Sequence, residues 1–243
     1  VKKTKDEGTK VKAVSIKELV DFCKKTNVPS KKVNESSICH FYASTSNYRL
    51  NEAFFAKYLI LAEGDTEEMA IPVYLKASNL DCDSEGISVI AVEGKNQIPK
   101  YWRLFYKFGI PMLVIFDNDN SKDEAKSNLN LARCFNLDIN DIIASSKVYR
   151  MIESKNDGIF SQPIIIMEDN FETALKNDFN AYCKNNGLEN KYNLFNDEAI
   201  KIINPMPNQN KGQVARYIAR KITSEYKEYA PSFISEIKNR ILN

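Results

Sequence analysis

Four short, almost entirely apolar segments most constrain how this chain can fold. They are YLILA (58–62), GISVIAV (86–92), PMLVIFD (111–117) and QPIIIME (162–168). Segments with helical periodicity lie between them, at about 66–77, 97–108 and 123–135. Strands that are buried on both faces read as continuous apolar runs, and helical connections between them make neighbouring strands parallel. The sequence therefore predicts an α/β fold, with a largely parallel sheet between two layers of helices.

The regions on either side of this alternation are predicted to be mainly helical. Before it, we expect a short strand at 11–15, an amphipathic helix at 15–25, a polar connector at 27–37 and a helical segment at 46–57. After it we expect only helices, at about 171–186, 194–203, 212–228 and 231–242, with a proline-containing loop at 203–212. The chain thus divides into an N-terminal linker region (1–50), an α/β core (51–170) and a C-terminal helical region (171–243).

Composition limits the class of protein. The 243 residues are 43% hydrophobic, which is enough for a packed core. The five cysteines include no CxxC pair, so we expect neither a disulfide framework nor a structural zinc site, and we expect a reducing, cytoplasmic setting. The sequence has no 18-residue apolar run and no signal-peptide pattern, which predicts no membrane association. Because the chain begins at Val1 with a lysine-rich stretch, we expect it to be a fragment of a longer protein.

Acidic residues gather where two of the apolar segments end. The sequence EGDTEE (63–68) follows the first segment, and DND (117–119) closes the third. In an open parallel sheet, functional groups collect beyond the carboxyl ends of the strands, and a right-handed crossover makes these two strands near neighbours. We therefore expect the two acidic groups to meet at one edge of the sheet.

The spacing within EGDTEE separates structural from functional candidates. Asp65 and Glu68 have the D-x-x-E spacing of a capping box, which would occupy them at a helix N-terminus. That leaves Glu63 and Glu67 to point into the crevice, where the two aspartates of DND would join them. Converging carboxylates make a hard oxygen site that suits Mg²⁺ or Mn²⁺. The alternative is that EGxxE is only a helix cap and that DxD is a solvated turn.

Charge is unevenly distributed, although the net charge is only +2. Residues 1–32 carry ten lysines against four acids, and residues 63–93 carry eight acids against a single lysine. An acidic centre with basic flanks suits a metal-dependent enzyme that binds a phosphodiester backbone, and ordinary charge clustering is the alternative. The single histidine, His40, argues against HExxH zinc sites and most histidine-assisted nucleophiles.

These residues together resemble a known family. The stretch FFAKYLILAEGDTEEMAIPVYL (54–75), with a DxD motif following a later strand, is similar to the Toprim half of the OLD (overcoming lysogenization defect) family endonucleases, which include the Gabija-type defence nucleases. The resemblance covers roughly residues 50–225. It implies a Toprim (Rossmann-like) core with a C-terminal helical extension, metal-dependent cleavage of DNA, a role in anti-phage defence, and homodimers. Family members normally carry an ATPase domain ahead of the nuclease, but this sequence has no GxxxxGK[ST] motif.

The resemblance also implies metal ligands and their chemistry. Two Mg²⁺ or Mn²⁺ ions, about 3.5–4 Å apart, would activate a water and stabilise the leaving 3′ oxygen. Glu63, Asp117 and Asp119 would hold one ion, with Glu67 shared or assisting. Glu63 is also a candidate to accept the proton of the attacking water.

Further residues are implied in the C-terminal region. The family uses an acidic position after the fourth strand, for which Glu172 is the first choice and Asp169 the second, since Asn170 stands where family members often have aspartate. It also uses a lysine near the C-terminal end, matched here by Lys211, which would neutralise the charge that builds on the phosphorus.

Two lysines and two other functions complete the predictions. Lys95 and Lys100 are candidates to contact DNA phosphates, and the alternative is that both are ordinary solvated lysines.

A Toprim domain acting in strand passage or primer synthesis is one alternative function, although strand passage would need a catalytic tyrosine that we do not recognise here. A receiver-type module regulated by phosphorylation is the other, and it predicts a single acceptor aspartate and about half this length.

Overall fold

The computed structural model describes residues 2–4, 8–10, 12–45, 48–119, 125–144, 148–156, 162–188 and 211–242. The strands are β1 (Lys2–Thr4), β2 (Gly8–Lys10), β3 (Tyr58–Ala62), β4 (Ile87–Ala91), β5 (Met112–Asp117), β6 (Tyr149–Glu153) and β7 (Pro163–Met167). The longer helices are α1 (Ile16–Lys25), α2 (Glu35–Thr45), α4 (Asp65–Ala77), α6 (Ile98–Phe108), α7 (Ala125–Phe135), α9 (Phe171–Asn185), α10 (Lys211–Glu225) and α11 (Ser232–Leu242). Short helices are α3 (Tyr48–Glu52), α5 (Cys82–Glu85) and α8 (Ile139–Ile143).

The main sheet has five strands in the order β4-β3-β5-β7-β6. The four predicted strands are all present and run parallel, which confirms the predicted α/β class. Strands β3 and β5 pair directly, as expected from the right-handed crossover. The acidic segments at the carboxyl ends of these two strands therefore begin side by side. Strand β6 is the exception, because it runs antiparallel to β7 at the edge of the sheet.

Both faces of the sheet are covered by helices because side chains alternate along each strand. In β3, Ile60 and Ala62 pack with α4, α9, α10 and α11 on one face. Leu59 and Leu61 pack with α6 and α7 on the other face. In β5, Ile115 lies on the face of α4, so Asp117, two residues later, is directed toward that same face. The alternation therefore aims the acidic end of β5 at the N-terminus of α4.

The N-terminal region is partly as predicted. Helix α1 is confirmed, and it begins at a capping box in which Ser15 and Glu18 bond each other's backbone N–H groups. The strand predicted at 11–15 is wrong within the described residues, because 12–15 form no strand and the short strands β1 and β2 pair earlier in the chain. Helix α2 was not predicted. It packs with α1 through a small apolar cluster that includes Ile38 and reaches Leu104 of α6.

Two further elements, α8 and β6, lie between the predicted helix at 123–135 and the predicted strand at 162–168, where no helix or strand was predicted. The predicted helix at 194–203, and most of the loop at 203–212, fall outside the described residues. The predicted helices at 171–186, 212–228 and 231–242 correspond to α9, α10 and α11. Within the described ranges, none of the helices combines the length and the apolar character needed to cross a bilayer.

Candidate metal centre

Two carboxylates meet because their strands are neighbours. Glu63 directly follows β3, and its backbone N–H donates to the carbonyl of Ile115 in β5 at 3.1 Å. Its side chain turns back across the sheet edge, where Oε2 accepts from the backbone N–H of Asp117 at 3.2 Å. The backbone therefore fixes Glu63 beside the residue that ends β5.

Asp119 completes an acidic cluster. It adopts a left-handed backbone conformation with φ of 43°, which aspartate tolerates better than most residues, and its N–H donates to the carbonyl of Asp169 at 3.2 Å. One carboxylate oxygen from each of Glu63, Asp117 and Asp119 lies within 4.8 Å of the others. In the part of the chain that the structure describes, this is the one group of three residues with the ligand types and spacing for a metal ion.

Glu67 lies in the first turn of α4 with only 3% of its surface exposed. The capping box predicted for this helix does not form: Gly64 occupies the N-cap position without a side-chain hydrogen bond. Glu68 instead accepts from the backbone N–H of Ala91 at 3.4 Å. The predicted capping box is therefore wrong, because Glu68 is turned toward the end of β4.

Burial and mutual repulsion hold protons on two of these carboxyl groups. Burial raises the pKa of Glu67 to about 8; the charges of Glu63 and Glu172 also raise it, and two backbone hydrogen bonds oppose the rise. The pKa of Asp117 rises to about 9, first through burial and then through the charges of Glu67, Glu63, Asp119 and Glu172. The five acids are therefore one electrostatic group whose negative charge is incompletely compensated by the protein.

A divalent cation fits this arrangement. The buried Oδ1 of Asp117 has no hydrogen-bond partner among the described residues. A buried carboxylate oxygen without a donor is costly, and a cation would both satisfy it and relieve the repulsion around it. Carboxylate oxygens are the donors that Mg²⁺ and Mn²⁺ prefer, so the chemistry of the donor set matches the predicted ions.

The structure places the two candidates for a second metal differently. Glu172 is in the exposed first turn of α9, its Oε1 accepts from the hydroxyl of Thr66 at 3.3 Å, and its charge acts on Glu67 and Asp117. Asp169 adjoins the cluster through its carbonyl, while its exposed carboxylate accepts from the side chain of Asn170 at 3.3 Å. Asn170 itself caps α9.

Lys211 opens helix α10 and is exposed. The next residue, Gly212, packs so closely against the start of α4 that a Cβ there would lie 2.7 Å from the backbone oxygen of Asp65. This close approach sets the first turn of α10 against the first turn of α4, two residues before Glu67. Lys211 therefore directly precedes the residue that packs against the start of α4.

The two candidate DNA-binding lysines occupy different environments. Lys95 is 3% exposed, and its Nζ lies 3.0 Å from Oδ2 of Asp119 and 3.3 Å from the carbonyl oxygen of Asn118. It is thus neither solvated nor on an open surface but paired within the metal centre. Lys100 is exposed, and its Nζ donates to Oε1 of Gln97 at 2.8 Å.

Sequence reasoning missed the residues that hold the DND segment in place. Asn118 is fully buried, and its carbonyl oxygen accepts from Lys95 and, at 3.1 Å, from Nδ2 of Asn128 in α7. Its side-chain amide has no partner within the described ranges. The one signal in the sequence was the asparagine between two aspartates at the end of an apolar strand.

Comparison with known proteins gives a family match over part of the chain. Residues 54–119 match the family described as overcoming lysogenization defect protein-like, TOPRIM domain. The C-terminal region of the Xanthomonas campestris pv. campestris OLD protein is a similar solved structure, with 19% identity, a TM-score of 0.48, and coverage of 77% of this chain and 95% of that chain. The C-terminal region of the Burkholderia pseudomallei OLD protein is also similar, with 20% identity, a TM-score of 0.47, and coverage of 77% of this chain and 98% of that chain. No protein with a curated description matches the chain.

Proposed function

We propose that this chain, in which residues 54–119 form an OLD-like Toprim domain, is a divalent-metal-dependent endonuclease that cleaves DNA phosphodiesters. One observation carries the proposal: Glu63, Asp117 and Asp119 converge to within 4.8 Å at the carboxyl edge of a parallel sheet. Such a site does not stabilise the folded protein, because like charges that are partly desolvated oppose folding. A metal centre explains why the charges are kept.

The chain offers ligands for two ions. Glu63, Asp117 and Asp119 would hold the first, with Glu67 assisting, and Glu172 or Asp169 would help to hold the second. When bound, Mg²⁺ or Mn²⁺ would supply an activated water and stabilisation of the leaving oxygen. Electrostatic coupling to the buried acids favours Glu172 over Asp169 for the second ion.

Other side chains would act directly on the substrate or on the ligands. A carboxylate oxygen of Glu63 accepts the proton of the attacking water. Lys211, at the start of α10, supplies a fixed positive charge to the phosphate as negative charge develops. Lys95 holds Asp119 in position through its 3.0 Å ion pair.

The cellular setting is part of the same proposal. We place residues 51–170 as the catalytic core and residues 171–243 as the part that completes the site. The enzyme would act as a homodimer in anti-phage defence, with an ATPase domain belonging to the same full-length protein. All five cysteines are free, which agrees with a cytoplasmic location.

A plasmid-nicking assay tests the proposed activity. Wild-type protein with Mn²⁺ or Mg²⁺ should convert supercoiled plasmid to the nicked or linear form, and EDTA should stop it. Asp117→Asn and Glu63→Gln should lower the rate about 100-fold or more. Glu85→Gln, which removes an exposed acid far from the cluster in sequence, should cleave like wild type. Wild-type nicking by Asp117→Asn would refute the proposal.

A further inference from the structure

A cavity separate from the acidic cluster is lined by residues of the opposite charge. It has a volume of about 400 Å³ and is bounded by the N-terminal helices α1 and α2, by the start of α6 and by α7. This volume is within the range of small-molecule sites, which begin at about 300 Å³. Four of its lining residues are basic, namely Lys32, Lys100, Arg103 and Arg133, and none of the described lining residues is acidic.

The guanidinium of Arg103 is buried in the cavity wall and has only neutral hydrogen-bond partners among the described residues. Its side chain is 6% exposed and donates to the hydroxyl of Thr26 at 2.6 Å, the carbonyl of Thr26 at 3.0 Å and the carbonyl of Pro99 at 3.1 Å. All three acceptors are neutral. No carboxylate in the described part of the chain forms an ion pair with Arg103. Buried charges are normally paired, so the positive charge of Arg103 is available for an external anion.

Lys100 adds a second cation, and its contacts with described residues are to the neutral groups of Phe41 and Gln97. Its Nζ lies 4.5 Å from the centre of the Phe41 ring and 2.8 Å from Oε1 of Gln97. Partial burial lowers the pKa of Lys100, as expected where a cation is desolvated without a counter-charge. An anion in the cavity would be stabilised by both Lys100 and Arg103.

Two elements of the chain connect the residues of the cavity with residues that hold the DND segment. Asn96 lines the cavity and directly follows Lys95, which pairs with Asp119. On α7, Asn128 bonds the DND segment, and Arg133 lines the cavity five residues later, about 7.5 Å along the helix.

We propose that this basic cavity binds a backbone phosphate of the DNA strand whose scissile phosphate lies at the acidic cluster. The inference rests on the proposed nuclease function and extends it by assigning the path of the substrate. Lys32 and Arg133 at the rim contact the phosphate, and Arg103 provides the buried positive charge beneath it. The chemistry recognised is a phosphodiester, and a free phosphate or pyrophosphate ion is the competing occupant.

The test measures binding separately from cleavage. A fluorescein-labelled oligo-dT strand is titrated with protein in EDTA, and fluorescence anisotropy is followed at several salt concentrations. Lys32→Gln/Arg133→Gln removes two exposed rim charges and leaves the buried Arg103 untouched. The matched control, Lys24→Gln/Lys31→Gln, removes two exposed charges on neighbouring segments that do not line the cavity.

We expect the rim variant to bind the strand about tenfold or more weakly than wild type, with the control unchanged. Its plot of log affinity against log salt should be shallower by about 0.7 for each phosphate that the variant no longer neutralises. Thermal melting should show both variants folded like wild type, because the substituted side chains are exposed.

Three results would overturn the assignment. The first is that the rim variant binds the oligonucleotide with the same affinity as wild type. The second is that wild type binds no oligonucleotide at all. The third is that the rim variant loses pyrophosphate binding in calorimetry while its affinity for the oligonucleotide is unchanged. The last would assign the cavity to a free anion. If wild type binds the strand through this cavity but never cleaves plasmid, the nuclease proposal fails instead, so the two failures are distinguishable.

Discussion

Replacing Glu67 by glutamine should stabilise the metal-free protein and weaken its response to metal. Glu67 is almost completely buried, and its pKa is raised from 4.5 to about 8. The folded protein therefore keeps a proton that the unfolded chain releases above about pH 4.5. Wild-type stability should fall as pH rises from 4.5 toward 8, since the unfolded state binds fewer protons over that range. Glutamine has no proton to lose, so the variant should not show this fall.

The size of the effect follows from the pH interval. Between the ordinary pKa of 4.5 and pH 7 lie about 2.5 units, and each unit corresponds to about 1.4 kcal/mol. We therefore expect Glu67→Gln to be more stable than wild type by up to about 3 kcal/mol near pH 7 in EDTA, with little difference near pH 4.5. Neighbouring acids share the protonation, which makes this value an upper bound.

Urea unfolding at a series of pH values measures this difference, with Glu85→Gln as a control because Glu85 is exposed. Addition of Mn²⁺ should raise the unfolding midpoint of wild type more than that of Glu67→Gln, since ligand binding to the folded state alone increases stability. If wild type and Glu67→Gln have parallel pH profiles in EDTA, the electrostatic reasoning for the site is refuted.

Three further predictions follow from the contacts of the site. Lys95→Met should lower the free energy of unfolding in EDTA by about 1–3 kcal/mol, because it removes a buried partner of Asp119. Lys76→Met, in a solvent-exposed pair, should change the free energy of unfolding far less, and comparable losses for the two variants would contradict the role of Lys95. Gly212→Ala should destabilise the folded protein by about 1–3 kcal/mol and reduce plasmid nicking, because the added Cβ would meet the backbone oxygen of Asp65. A variant with unchanged thermal melting and unchanged nicking would refute that close contact. The apparent Mn²⁺ affinity, measured by calorimetry, should be more than about tenfold higher at pH 8 than at pH 6. The reason is that Glu67 and Asp117, with pKa values of about 8 and 9, must lose their protons to bind the ion. Equal affinities at the two pH values would count against these two residues as ligands.

The sequence predicts the four parallel strands well and the antiparallel edge strand β6 poorly, for a physical reason. Strands β3, β5 and β7 are buried on both faces, and this requires the apolar runs that reveal them. Strand β6, with the sequence YRMIE, is only partly buried at the edge, so it lacks such a run. Helix α2 was missed because Ile38 is the one buried side chain among those described in it, and its start depends on a local bond in which the backbone N–H of Ser37 donates to the side chain of Asn34.

The acidic group was also predictable in part. Strand ends are fixed by the fold, so carboxylates that follow adjacent parallel strands must meet, as Glu63 and Asp117 do. The burial of Lys95 depends on a short 3₁₀ turn, Lys95–Gln97, that directs it beneath the DND segment. No periodicity in the sequence reports such a turn. The position of Glu68, which accepts a hydrogen bond from the backbone N–H of Ala91 at the end of β4, likewise depends on contacts that no sequence pattern reports.

The central claim is that the acidic cluster is a divalent-metal centre, and calorimetric titration with Mn²⁺ tests it most directly. We predict that wild type binds two ions, that Glu172→Ala loses one of them, and that Asp117→Asn loses the ion held with Glu63 and Asp119. Folded wild-type protein that binds no Mn²⁺, or an Asp117→Asn variant that binds it with unchanged affinity and stoichiometry, would contradict the account.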